Sequence, residues 1–240
     1  EMVPLNIWIE SDLVFDLGNY IMRYRPDLIS LGIRINVQVN LFLRSIEKYA
    51  EDPAAVFDKV GHAIGAFALT EEDSGVLSGL IVDTTWTKED DGYILKTHDS
   101  KKNWISQGML AEYAIVYASN EANKEDIRIF LVDLNAETGI TKTKIDVLPV
   151  NKTLDMAKLD FTDCKVPESA LLENSKKSTK MELLNGIFFG RYMIAEATIS
   201  AMLGQIEHIE KNINQTKKTR EKFEKLGFTK YLSECHDAFY

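Results

Sequence analysis

Residues 64–108, IGAFALTEEDSGVLSGLIVDTTWTKEDDGYILKTHDSKKNWISQG, decide the fold. Residues 67–70 (FALT) form a short apolar segment that stops at a hydroxyl, and two glutamates and turn residues follow it. Residues 102–106 (KNWIS) place an aromatic side chain, Trp104, two positions before another hydroxyl. Because aromatic and β-branched residues favour strands whereas Asp, Ser and Gly favour turns, both segments are predicted to be strand ends.

Short strands of the same character continue to about residue 172. Turn signals separate them, for example residues 89–92 (EDDG) and 135–139 (NAETG). The predicted strands are 64–69, 79–85, 93–96, 113–118, 127–132 and 159–161. No helical periodicity interrupts this series, which is typical of an antiparallel β-barrel or sandwich.

Helical periodicity flanks the strands on both sides. Residues 5–50 carry apolar side chains at three- and four-residue steps, interrupted at Arg25-Pro26-Asp27, and a short capped helix is predicted from Pro53 to about Gly61. After residue 178 the helical pattern returns and continues towards Thr216. The predicted fold class is therefore α+β, with a helical segment, a β-barrel or sandwich and the start of a helical bundle. The predicted domains are residues 1–62, 63–174 and 175–240.

The second helical region has a recognisable start. Thr179 is a predicted N-cap, and Glu182 follows three residues later, which is the spacing of a capping box. The apolar run 183–203 contains Arg191 and Glu196, which a membrane span would rarely tolerate. It is therefore interpreted as a buried amphipathic helix, and no membrane span is expected.

Composition excludes several classes of protein. The 240 residues are 45% apolar, and 28 Lys and Arg against 37 Asp and Glu give a net charge of −9. No basic stripe interleaved with aromatic residues is visible, so nucleic-acid binding is not expected. Cys164 and Cys235 and the four histidines follow no ligand spacing, so neither a structural metal site nor a disulfide framework is expected.

The same features predict a cellular setting. Absence of a disulfide framework suits a reducing compartment, and the N-terminus shows no secretory signal. The cytoplasm or another reducing intracellular compartment is therefore expected. Because the chain starts at Glu1 rather than Met, it is interpreted as a trimmed chain or a fragment of a longer one.

The two strand ends resemble the acyl-CoA dehydrogenase and acyl-CoA oxidase superfamily. Its middle β-domain carries an "(F/Y)xxTE" strand end and a "K-x-W-I-(T/S)" strand end, matched here by residues 67–71 and 102–106. Residues 161–172 (FTDCKVPESALL) resemble the superfamily's exit from that domain. The resemblance implies an FAD-dependent enzyme of fatty-acid metabolism that oxidises an acyl thioester, carried on CoA or an acyl-carrier protein, between its α and β carbons.

The resemblance also implies a cofactor site at both strand ends. Phe67, Leu69 and Thr70 would line one side of the flavin ring, whereas Trp104 and Ser106 would cover the other. Such a ring needs an apolar wall and hydroxyls or amides at its polar edge, since those contacts tune its electronics. The alternative is that the aromatic residues belong to the β-domain core and that the hydroxyls cap strands.

Arg191 and Val76 are candidate substrate-binding residues from the same resemblance. Arg191 follows Gly190 in a pattern like the superfamily's helix start and would lie near the CoA arm; an ion pair with Glu196 or Glu182 is the alternative. Val76 stands where a substrate-binding serine is usual, so it could contribute only backbone groups.

Residues 220–223 (REKF) resemble a motif whose arginine reaches the FAD pyrophosphate of a neighbouring subunit. Arg220 and Phe223 are therefore candidate cofactor-binding residues, and a homo- or hetero-oligomer, a dimer or tetramer, is implied. Glu224 stands where glycine is usual. The alternative is a solvated run of charges.

No catalytic residue is nominated. Dehydrogenation of an acyl thioester needs a carboxylate that removes the α-proton, and the superfamily keeps it beyond the point that corresponds to Tyr240 or, in one subfamily, at the position of Gly190. Two other functions therefore stay open: a non-catalytic scaffold subunit that pairs with a catalytic homologue, and a flavin monooxygenase on the same fold. The electron acceptor, oxygen or a flavoprotein, is undecided.

Overall fold

Helices precede and follow a group of nine strands in the part of the chain that the structure describes. This structure is a computed structural model, and it describes residues 20–25, 29–60, 62–72, 82–146, 154–213, 215–227, 230 and 234. Residues 20–24 are helical. The next helices are α1 (Ile29–Asn36), a π-helical segment (Val37–Leu43), α2 (Arg44–Tyr49) and α3 (Pro53–Val60).

The early helices confirm the sequence pattern in the described residues. Within the region 5–50 predicted to be helical, residues 29–49 are helical, although Val37–Leu43 form a π-helix rather than an α-helix. Residues 5–19 and 26–28 lie outside the described residues. Helix α3 begins at Pro53, where the ring suits the first helical position, and the Asp52 carboxylate accepts from the Ala55 N–H at 3.1 Å.

The strands occupy residues 65–167. They are β1 (Gly65–Ala68), β2 (Thr85–Glu89), β3 (Gly92–Lys96), β4 (Lys102–Ser106), β5 (Tyr113–Asn120), β6 (Ile127–Asp133), β7 (Ile140–Lys144), β8 (Met156–Phe161) and β9 (Cys164–Pro167). Five of the predicted strands are confirmed, at β1, β3, β5, β6 and β8.

Part of the strand predicted at 79–85 is wrong, because residues 82–84 are not in a strand. Residues 79–81 lie outside the described residues, and β2 begins only at Thr85. The N–H groups of Asp83 and Thr84 donate to the Glu71 carboxylate at 2.6 and 3.0 Å, so they are not available to a strand ladder. Strands β7 and β9 were not among the predicted strands; β7 is mostly polar and β9 is short, so neither carries a strong apolar signal.

The strands form two sheets that curl towards each other. One has the order β1-β5-β2-β3-β9, with β6 on the other edge of β5, and the second has the order β4-β8-β7. Most ladders are antiparallel, whereas β5 runs parallel to both β1 and β2. The sheets meet through the Glu71–Lys102 bridge and a hydrogen bond of 2.8 Å from the Thr97 N–H to the Phe161 carbonyl. The α+β fold class is confirmed.

Two apolar cores lie on opposite faces of the larger sheet. Ala66 and Ala68 of β1 face the core enclosed by the strands, with Phe130, Leu159 and Phe161. Leu69 and Ile115 face the second core, beneath the helices. This side-chain alternation is the period of two expected for a strand, and burial on both faces explains the almost continuous apolar sequence of β5.

Helices α4 (Lys180–Ile213) and α5 (Lys217–Lys225) complete the described part. The predicted capping box is present: the Thr179 N–H donates to the Glu182 carboxylate at 2.7 Å, and the Glu182 N–H donates to the Thr179 hydroxyl at 3.3 Å. Gly190 packs α4 closely against Leu41. No helix among the described residues combines the length and the apolarity that a bilayer span requires. The predicted domain limits stay a prediction.

Candidate flavin site

The residues that follow β1 lie beside the start of β4. The Asn103 N–H donates to the Thr70 carbonyl at 2.8 Å, and the Glu72 N–H donates to the Lys101 carbonyl at 3.1 Å. The tertiary structure thus joins the two strand ends that the sequence singled out, at the place where the two sheets meet. Thr70 and Trp104 lie at this contact, because Trp104 directly follows Asn103. Ser106 lies further along β4, towards the Gly65 end of β1, where the Gln107 side-chain amide donates to the Gly65 carbonyl.

Trp104 has an unusual backbone conformation. Its φ is +57°, in the left-handed region, which costs a bulky residue about 1–3 kcal/mol. The Asn103 side-chain oxygen accepts from the Trp104 N–H at 2.9 Å and supports this conformation. The Trp104 side chain is 54% exposed. An indole held in solvent by a strained backbone is a preformed flat apolar surface.

A β-bulge places Trp104. In the β4–β8 ladder Lys102 pairs with Leu159 and Ile105 pairs with Ala157, so Asn103 and Trp104 together oppose a single residue of β8. A bulge of this kind leaves a residue unpaired and redirects its side chain. It breaks the ladder where the indole leaves the sheet.

The residues after β4 fix Ser106. Gln107 also has a positive φ, +65°, and its side-chain amide donates to the Gly65 carbonyl at 3.0 Å. The Gln107 N–H donates to the Asp155 carbonyl at 2.6 Å, and the Asp155 carboxylate accepts from the N–H groups of Met109 and Leu110 at 2.8 and 3.0 Å. The Ser106 hydroxyl itself is half-buried and lies 3.4 Å from the Met156 sulfur.

The residues of the first strand end divide between two environments. Leu69 is 5% exposed and packs in the core beneath the helices, and Phe67 is half-buried with its ring edge-to-face on Tyr117 at 5.4 Å between centroids. Thr70 is half-buried. Because the Leu69 side chain faces the helices, only its backbone is available to a ligand at the strand edge.

A buried ion pair, missed in the sequence, lies at the same place. The Lys102 ammonium is 2.7 Å from Glu71 Oε1, and neither side chain is exposed at all. Burial opposes ionisation of Glu71, but the Lys102 cation and hydrogen bonds from Thr84 and the Asp83 N–H prevail and lower its pKa to about 2. Both residues stand inside the two quoted motifs, which was the only signal for them.

A second set of ion pairs lies outside the first. Glu72 pairs with Lys158, and Lys101 lies 2.9 Å from Asp160. These four side chains are each partly exposed, between 28% and 36%. Glu71 is therefore buried, whereas the adjacent Glu72 is partly exposed. In the same way Lys102 is buried and the adjacent Lys101 is partly exposed.

The remaining predicted residues lie elsewhere. Arg191 is exposed on α4, and Arg220 is exposed on α5, where it pairs with Glu224 at 3.0 Å. Phe223 is half-buried on the same helix. Val76 lies outside the described residues.

Comparison with known proteins gives the family. A family model described as "Acyl-CoA dehydrogenase, middle domain" matches residues 66–164, which run from β1 to β9. The long-chain specific acyl-CoA dehydrogenase of Sus scrofa mitochondria is 32% identical over 162 residues, which are 65% of this chain and 36% of that protein. Residues 66–164 therefore belong to the acyl-CoA dehydrogenase middle-domain family. The chain spans little more than a third of the length of that relative.

Solved structures support the fold. An acyl-CoA dehydrogenase of Geobacillus kaustophilus superposes with a TM-score of 0.78 at 20% identity, over 99% of this chain and 68% of that one. Butyryl-CoA dehydrogenase of Megasphaera elsdenii gives a TM-score of 0.75 at 23% identity, over 94% and 58%. The predicted acyl-CoA dehydrogenase-like arrangement is thereby confirmed for the superposed part of the chain.

The edge formed by the strand ends fits a flavin ring. Strand β4 and the residues after β1 together offer a flat exposed indole, two hydroxyls and backbone amides. Cofactor sites of this kind are largely apolar with a few polar groups that fix orientation. The acyl-CoA dehydrogenase fold and this donor set agree.

Proposed function

We propose that the chain is part of an FAD-dependent enzyme that dehydrogenates an acyl thioester, carried on CoA or an acyl-carrier protein, between its α and β carbons. The observation that carries the proposal is the backbone contact between Thr70 and Asn103, next to the exposed Trp104, within residues that match an acyl-CoA dehydrogenase middle domain. The scaffold-subunit and monooxygenase alternatives are not favoured by the comparisons.

The chain's own residues would bind and orient the cofactor. FAD, when bound, supplies a ring that accepts the hydride leaving the β carbon. Trp104 would cover the ring with an indole already held in place, and the hydroxyls of Thr70 and Ser106 would donate to its polar edge. Phe67 and Leu69 would support this edge from the helix-facing core. No residue among residues 1–240 is proposed to remove the α-proton.

Residues outside the strand ends complete the proposal. Arg191, exposed on α4, would interact with the CoA or pantetheine arm, and Val76 would contribute backbone groups to the thioester site. Arg220 would bind the FAD pyrophosphate of a neighbouring subunit, with Phe223 beside it, in a dimer or tetramer. Its present partner, Glu224, would then have to release it. A reducing intracellular compartment stays a prediction.

The test is the visible absorption spectrum of the purified protein, with identification of the released chromophore. We expect bound FAD, or FAD uptake on incubation, and bleaching under anaerobic conditions by one member of a series of acyl-CoA thioesters. Trp104→Ala should weaken FAD retention, whereas Trp86→Phe, in the core between the sheets, should not. A protein that stays colourless after incubation with FAD refutes the proposal.

Reoxidation separates the two electron acceptors. Rapid return of colour in air after bleaching would indicate oxidase-type turnover. Colour that returns only with an added flavoprotein or dye acceptor would indicate dehydrogenase-type turnover.

A further inference from the structure

The Glu71–Lys102 ion pair holds Thr70 from both sides. The Lys102 ammonium donates to the Leu69 carbonyl at 3.3 Å and to the Glu71 carboxylate at 2.7 Å, which are the residues before and after Thr70. The Thr70 carbonyl between them accepts from the Asn103 N–H at 2.8 Å. Three consecutive residues of the first strand end are therefore bonded to two consecutive residues of β4.

The same contacts fix the start of the bulge that carries Trp104. Asn103 and Trp104 oppose a single residue of β8, so the β8 ladder does not define their positions. This side of β4 is held by the contacts of Lys102 and Asn103 with residues 69–71, which follow β1. The left-handed backbone of Trp104 is strained, so this conformation persists only because several surrounding contacts hold it.

Glu71 connects this unit to a third segment. One of its carboxylate oxygens accepts from the Asp83 N–H at 2.6 Å, and the other accepts from the Thr84 N–H at 3.0 Å and the Thr84 hydroxyl at 2.6 Å. The ion pair thus joins β4 to the residues after β1 and to the residues before β2. A fully satisfied buried polar network of this kind rigidifies its surroundings.

A role in folding alone explains these charges poorly. Replacement of a buried ion pair by apolar residues is often neutral or stabilising, so stability by itself gives little reason for two unexposed charges. The ion pair of Lys101 and Asp160 lies beside this buried pair and is only partly buried. The Glu71–Lys102 pair differs because its hydrogen bonds lie on both sides of Thr70 and just before Trp104. Both of these residues are candidate flavin ligands.

We propose that Glu71 and Lys102 are positioning residues that set the spacing of the Thr70 and Trp104 strand ends for the flavin. The consequence for FAD rests on the proposed function, whereas the consequence for Trp104 does not. Neither residue touches the cofactor. They act through the backbone of Leu69, Thr70 and Asn103.

The test is the double variant Glu71→Gln with Lys102→Met. Neutralising both side chains avoids the uncompensated charge that each single change would leave buried, so folding and positioning are separated. The protein is labelled with 5-fluorotryptophan, and the fluorine resonance of Trp104 is assigned by its loss in Trp104→Phe. The resonance of the buried Trp86 reports on the fold in the same spectrum.

We expect one sharp Trp104 resonance in the unaltered protein and in the control Lys101→Met. In the double variant that resonance should broaden or split while the Trp86 resonance stays in place, and the dissociation constant for FAD should rise at least about tenfold, which is about 1.4 kcal/mol. An unchanged Trp104 resonance in the double variant overturns the inference, even if the protein binds FAD well.

The two proposals fail separately. If the unaltered protein binds no FAD but the Trp104 resonance changes in the double variant, the proposed function fails and the positioning role stands. If the double variant does not melt cooperatively, the Trp104 resonance is measured in Glu71→Gln, which keeps one acceptor oxygen for Thr84 but removes the acceptor of the Asp83 N–H and the counter-charge of Lys102. An unchanged resonance there overturns the inference as well.

Discussion

Replacement of Lys102 by Met is the sharpest test of the energetics at the junction of the two sheets. Met keeps the unbranched stem but removes the ammonium, so the Glu71 carboxylate stays buried without its counter-charge. The hydrogen bond to the Leu69 carbonyl at 3.3 Å is lost as well. The hydrogen bonds from Asp83 and Thr84 to Glu71 remain.

The size of the effect follows from the pKa of Glu71. Its pKa falls from the ordinary 4.5 to about 2 in the folded protein. A difference of 4.5 − 2 = 2.5 at about 1.4 kcal/mol for each pKa unit gives about 3.5 kcal/mol of stability at neutral pH from this carboxyl, and the burial that lowers the pKa of Lys102 offsets part of it. Breaking a buried pair by removal of one partner costs about 3–5 kcal/mol, so we expect a loss of about 3 kcal/mol for Lys102→Met at pH 7.

The assay is urea unfolding as a function of pH. With a slope of about 3 kcal/mol per molar urea, the midpoint should fall by about 1 M at pH 7. Because the folded pKa of Glu71 is depressed, its contribution is present above pH 4.5 and is lost as the pH falls towards 2. In Lys102→Met the buried carboxylate protonates more easily, so the difference between the two proteins should narrow below about pH 5.

The control is the neighbouring residue. Lys101→Met breaks a partly exposed pair with Asp160, and such pairs contribute at most about 1 kcal/mol. A loss for Lys102→Met as small as that for Lys101→Met, or a difference that does not change between pH 7 and about pH 4, would refute the reasoning.

Three further outcomes are expected. Because Trp104 has φ +57°, Trp104→Gly should be about 1 kcal/mol more stable than Trp104→Ala in thermal unfolding, and an alanine variant of equal stability would contradict the strain. Gly65→Ala would place a Cβ 2.1 Å from the Phe42 ring, so it should lower the free energy of unfolding by about 1–3 kcal/mol. Phe42→Leu in that background should recover part of the loss, and purely additive losses would count against the clash. Arg220→Ala should weaken FAD retention in equilibrium dialysis much more than Lys217→Ala, and equal losses would mean that the motif match is accidental.

The sequence determined the order and type of most elements. Local signals are sufficient for that purpose: the three- and four-residue apolar step of α1 and α4, the Pro53 start of α3, and the Thr179–Glu182 capping box all lie within a few residues of one another. The two strand ends were also visible, as an aromatic residue followed by a hydroxyl. Their approach to each other was implied only by the resemblance to the acyl-CoA dehydrogenases.

Only the tertiary structure decided which of the adjacent charges lie inside. Glu71 and Glu72 are identical side chains next to each other, as are Lys101 and Lys102, yet one of each pair is fully buried. Successive side chains of an extended segment point to opposite faces, so a shift of one residue in the pairing of β1 with β4 would exchange the inner and outer residues. That pairing joins segments far apart in the chain.

The left-handed backbone of Trp104 is decided in the same way. It lies at the bulge in the β4–β8 ladder, directly after Asn103, whose N–H donates to the Thr70 carbonyl. No residue of β4 signals this, because a tryptophan within a strand is an ordinary sequence. The sequence therefore determined which residues stand at the candidate site, whereas the long-range contacts of β4 with β8 and with the residues after β1 decided their burial and direction.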